Sequence, residues 1–263
     1  MADQEQAANQ QNPTSSNNDN APSKTDMPLF YKSVSVLDPG RHADVGLSRS
    51  RNFGFAAKAN SAPLNGVEFR MAATNYPIVF TGAAPYLPMA IFSGRQEENL
   101  FVSDQGIWRQ NHYIPAYVRR YPFIFVANEE AESLTLCIDD ASEMVIKNGE
   151  ENRLFENGEA SDVVKRALEF CRIFQGHFQL TVEFTKALEE SGLLVNRAVD
   201  LKLSSGDTLK VGGFKLVDEN KMTELSDETV ALWHKKGWLA LIYWHIVSQN
   251  NWNELTHAID ASK

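Results

Sequence analysis

Cysteine is scarce: Cys137 and Cys171 are the only two among 263 residues. They lie far apart and match neither a metal-binding nor a redox spacing, so neither chemistry is expected of them. Long hydrophobic runs are missing too. The most apolar window, Trp238–Val247, is about half of the ~20 residues a bilayer span needs and reads as a buried helix. The chain starts without a basic stretch followed by an apolar one, so no secretory signal is expected. A cytoplasmic protein is the favoured expectation, with export lacking an N-terminal signal and surface association as the alternative. Positive charge is in the minority. Lys and Arg number 25 against 34 Asp and Glu, a formal net charge of −9, which argues against nucleic acid as a bulk partner.

The common catalytic signatures are absent as well. There is no phosphate loop ending in Gly-Lys-Ser/Thr, no G-x-G-x-x-G, no H-E-x-x-H and no G-x-S-x-G elbow. His234 and His245 fall eleven residues apart in what reads as one helix. That spacing puts them ~16 Å apart along the axis, too far for one ion with ligand bonds of ~2 Å. A pairing of either with His112 or His177 stays open, but no metal and no cofactor is expected.

What is present is an ordinary globular composition, 43% hydrophobic and 22% charged. Residues 1–26 are rich in Gln, Asn, Ser and Pro, have little to bury, and are expected to be a disordered tail. Residues 27–263 are expected to form one domain, β-rich over 27–140 and helix-rich over 141–263, with a hairpin near 198–217. The fold class is α+β: a largely antiparallel sheet packed against two long helices. Strands are expected at Phe30–Val36, Val67–Met71, Ile78–Thr81, Met89–Ser93, Leu100–Ser103, Ala116–Ala127 and Leu134–Ile138, because short Gly- and Asp-containing turns separate them. Asp140 and Glu143 have the spacing of a capping box and predict a short helix. Ser161 opens a long amphipathic helix that Gly192 closes, with Gly176 inside it as a close crossing or slight break. Ser226 or Asp227 caps the second long helix, which Asn250-Asn251 ends.

The stretch Trp108–Val126, WRQNHYIPAYVRRYPFIFV, departs from this plain pattern. It crowds Trp108, Tyr113, Tyr117 and Tyr121 around Arg109, Arg119 and Arg120. One reading is a central strand whose rings fill the core while the arginine stems cover its rim. The sharper one is that Trp108, Tyr113, Arg119, Arg120 and Tyr121 line a concave site for a carboxylate, phosphate or aromatic group. Arginine forks grip such anions in pairs of hydrogen bonds, and ring walls add stacking. On a strand, Arg119 and Arg120 would face opposite ways, so only one would enter a given pocket. Arg41, Arg49 and Arg51 before Phe53 and Phe55 form a second cationic–aromatic cluster. Its plainer reading is a coil with solvated arginines.

Five segments carry a family likeness: YIPAYVRRYPFIFV (113–126), YPIVF (76–80), NLFVSDQGIW (99–108), LCIDD (136–140) and GWLALIYWHIVSQNNW (237–252). Together they resemble the SapC family, bacterial proteins of about this length named after a gene associated with a surface layer. The resemblance runs from about Phe30 to Leu255. It implies a context, since such proteins are often encoded beside flavin-dependent halogenases, cupin-like proteins and TonB-dependent receptors, and it brings no catalytic residues with it. The expectation is an accessory or binding protein that recognises a small anionic or aromatic ligand, or a partner enzyme such as a flavin-dependent halogenase. The alternatives are an enzyme using the Arg–Tyr segment with a helix histidine, or a surface-layer component. The composition speaks against the last.

Overall fold

The computed structural model describes residues 27–128 and 133–262. The expected N-terminal tail lies outside the described residues. Strands β1 (Val34–Val36), β2 (Val45–Leu47) and β3 (Ser61–Pro63) are followed by a helical turn, α1 (Phe69–Ala72). Then come β4 (Ile78–Thr81), β5 (Pro88–Ile91), the short α2 (Ala116–Arg119), β6 (Phe123–Asn128) and β7 (Ser133–Asp139). Strands β8 (Val145–Lys147), β9 (Phe155–Glu156) and β10 (Glu159–Ala160) lead into α3 (Asp162–Glu190). The hairpin β11 (Leu194–Lys202) and β12 (Thr208–Val217) precedes α4 (Glu219–Met222), α5 (Asp227–Lys235), α6 (Trp238–Ser248) and α7 (Asn251–Ala261).

The α+β class holds, and the strand pairings among the described residues are antiparallel. The strands do not form one sheet. Five of them run in the order β11-β12-β4-β5-β3, three in the order β1-β7-β6, and the rest form two-stranded pairs. At 1.5 Å per residue, the 29-residue α3 is ~43 Å long. It reaches the apolar interior of both sheets. Val164 and Cys171 pack with Leu136 and Ile138 beside the three-stranded sheet. Phe184 and Leu188 join Phe69, Phe80 and Ile242 beside the five-stranded one.

Several expected elements differ. Residues 66–72 are helical, not a strand, because the Glu68 carboxylate accepts from the Asn65 amide at 2.8 Å and starts a turn. Leu100–Ser103 contributes a single bridge, Val102 to Trp108. The expected strand at 116–127 begins only at Phe123; its first four residues wind into α2, and the Tyr121–Pro122 peptide is cis. No helix follows Asp140, whose side chain instead meets Arg41 at 2.6 Å and His42 at 3.0 Å. The second long helix is broken into α5 and α6 by Gly237 at φ 73°, a left-handed position that closes α5. A further helix, α7, starts where Asn250-Asn251 was expected to end the last one. Gly176 produces neither crossing nor break: α3 continues through it and no atom lies within 4 Å of a Cβ placed there.

Candidate functional site

Two buried carboxylates fix the segment from Tyr113 to Pro122. Glu68, 4% exposed, accepts through Oε1 from the Ala116 amide at 2.7 Å and the Tyr113 hydroxyl at 2.9 Å. The first orphan N–H of α2 is thereby satisfied by a side chain 48 residues away. Burial pushes the Glu68 carboxyl up, against the pull of these donors. Asp139, fully buried, holds the other end. It accepts from the amides of Lys32, Ser33 and Ala141 and from the Tyr121 hydroxyl at 3.1 Å.

Between these anchors lies a hollow of about 340 Å³. One wall comes from Arg51, Phe53 and Phe55, the other from Arg119 and Tyr121, with Phe170 of α3 beside them. The rings brace one another: Phe55 stacks on Tyr121 at 4.1 Å between centroids, and Phe53 stands edge-on to Trp108 at 5.7 Å. Arg119 is oriented by bonds from Nε to the Ile114 carbonyl at 2.9 Å and from an Nη to the Tyr113 hydroxyl at 3.2 Å. Its guanidinium carbon lies 5.3 Å from the Phe170 ring centroid. Neither Arg51 nor Arg119 forms an ion pair among the described residues. No acidic residue lines the hollow. Burial pushes the phenols of Tyr113 and Tyr121 up to about 12, so at neutral pH they donate hydrogen bonds and do not act as bases.

Of the five residues singled out from the sequence, two line this hollow, Arg119 and Tyr121. Tyr113 stands behind the wall and holds Arg119. Trp108 is in the core, 5% exposed. Its indole N–H donates to the Tyr76 hydroxyl, which donates to the Tyr113 carbonyl. Arg120 points elsewhere, with its guanidinium carbon 4.1 Å from the Tyr117 ring and 4.6 Å from that of Phe174. On a helical turn, neighbours diverge by ~100°, so only one of the two arginines enters, as on the strand expected for them. The Arg51–Phe55 cluster, given the plainer reading of a solvated coil, supplies half of the site. Glu68 was missed, although Asn65-x-x-Glu68 has capping-box spacing, and the LCIDD segment did not reveal that Asp139 anchors this stretch.

The histidines considered from the sequence do not line the hollow. His245 is buried in α6, where Nε2 accepts from the Val217 amide at 3.2 Å, and burial pulls its pKa down to about 4. Cys137 and Cys171 are both buried free thiols, pushed up to about 11 by that burial, which leaves neither as a ready thiolate. Among the described residues, no group of three or more His, Cys, Asp or Glu is placed to hold a metal ion. No helix among them is long and apolar enough to cross a membrane.

No curated protein and no solved structure matches the chain. The SapC family model matches residues 37–255. That span contains every residue of the hollow and both carboxylate anchors, and covers well over half of the sequence. The chain belongs to the SapC family.

Proposed function

We propose that this SapC protein is an accessory binding protein whose hollow takes a small planar aromatic ligand bearing a carboxylate or phosphate. One observation carries the reading: two cationic–aromatic segments far apart in sequence, Arg51–Phe55 and Arg119–Tyr121, meet around one hollow that has no acid in its lining. Phe55 and Tyr121 offer a ring a stacking surface, and the free N–H groups of the two arginines offer an anion charge-assisted bonds. The high phenol pKa values favour recognition over acid–base chemistry at this site. A setting beside a flavin-dependent halogenase or a TonB-dependent receptor, as implied by the family likeness, suits a carrier or presenter of such a ligand. A soluble cytoplasmic location is part of the same reading.

Isothermal titration with indole-3-carboxylate tests it. Arg119→Gln and Arg51→Gln should each weaken binding by about tenfold or more, since bonds to a charged group contribute ~1.5–3 kcal/mol. Wild-type affinity in both variants would remove the proposal.

A further inference from the structure

A second hollow, of about 630 Å³, lies elsewhere on the molecule. It lies between the Arg109–His112 stretch, the turn after α1 at Thr74–Asn75, and the outer side of α7. Its chemistry is not that of the Arg51–Arg119 hollow. Here one guanidinium, Arg109, and one carboxylate, Glu254, share the lining, with His112 and His257 beside them. Arg109 and Glu254 do not pair with each other, and neither side chain forms an ion pair among the described residues. The neighbouring amides are already committed. Asn251 donates to the Ala73 and Tyr76 carbonyls, and Asn75 accepts from the Tyr113 amide. Leu100, Phe101 and Leu255 supply an apolar lining, and Ala258 and Ala261 keep the α7 side low.

An opposite pair that lines one hollow without closing on itself suits a ligand with its own cation and anion a few bonds apart. We propose that this second hollow binds a free α-amino acid with an apolar side chain. The α-carboxylate meets the Arg109 fork, the ammonium meets Glu254, and the side chain lies on Phe101 and Leu255. A purely anionic ligand would face Glu254, and a purely cationic one Arg109, so the site discriminates by charge pattern as well as by size.

The test follows the ring C–H signals of His112 and His257 by NMR, since both rings line this hollow and not the other. The probes are L-phenylalanine, 3-phenylpropionate, which lacks the ammonium, and phenethylamine, which lacks the carboxylate. Expected are saturable shifts of both histidines with phenylalanine and at least tenfold weaker binding of the other two. Arg109→Gln should weaken phenylalanine and phenylpropionate alike. Glu254→Gln should weaken phenylalanine while leaving phenylpropionate unchanged or improved. Both side chains are exposed, so the unfolding midpoints should match wild type. No saturable shift, equal response to the three probes, or wild-type affinity for phenylalanine in either variant overturns the proposal.

Discussion

Replacing Asp139 by Asn should loosen the candidate hollow at its anchor. Asp139 is fully buried and its two oxygens accept four bonds: Ser33 and Ala141 amides on Oδ1, the Lys32 amide and the Tyr121 hydroxyl on Oδ2. An asparagine must turn its NH2 toward one side or the other. Either way at least one backbone N–H faces another donor. Bonds to a charged acceptor contribute ~1.5–3 kcal/mol each, and leaving a buried donor unpaired adds its desolvation cost, so Asp139→Asn should cost about 3–5 kcal/mol. Tyr121→Phe removes one of the four bonds, keeps the ring stacked on Phe55, and should cost about 2 kcal/mol. For a chain of this size 1 kcal/mol corresponds to ~2–4 °C in Tm. Differential scanning calorimetry should therefore place Asp139→Asn roughly 10 °C below wild type and Tyr121→Phe about half as far. If Asp139→Asn unfolds within a degree or two of wild type, the carboxylate does not organise this segment.

Three further outcomes are expected of side chains elsewhere in the fold. His245 has a native pKa of about 4 against an ordinary 6.5, so between those values the unfolded chain binds the proton and the folded one does not. Its contribution is intact above pH 6.5 and is lost as pH falls to 4, a total of about 3 kcal/mol; urea unfolding of His245→Gln at pH 6.5 and 4.5 should show a smaller drop than wild type. Arg120→Gln should lower stability by losing contacts with Tyr117 and Phe174, yet leave indole-3-carboxylate affinity unchanged in calorimetric titration, because Arg120 does not line the hollow. Gly176→Ala should raise stability by up to ~1 kcal/mol in chemical denaturation, as a helical position with open space around it.

Elements with strong local signals were legible: the hairpin near 198–217, the long amphipathic helix α3 and its Gly192 stop. The left-handed Gly192, at φ 69°, sits where the sequence puts it. The departure at α2 has a non-local cause. The α2 turn depends on Glu68 accepting from Ala116, and no window around Ala116 contains that carboxylate. Alternating Tyr, Val and Phe residues there read as strand because the period is ambiguous over so few positions. In the last helical region the apolar run conceals a break that rests on one residue, Gly237. The site was half visible. Arginine next to aromatic side chains marked both walls, but whether such clusters converge is decided by tertiary packing. Trp108 was drawn into the core instead, through Tyr76, and Tyr113 packs at the edge of that core behind Arg119.

A diffraction structure of the protein soaked with indole-3-carboxylate gives the most direct measurement. The expected result is an indole ring against the Phe55–Tyr121 stack with its carboxylate about 3 Å from the Arg119 and Arg51 guanidiniums. An empty hollow at saturating ligand, or a carboxylate facing away from both arginines, would contradict the binding role.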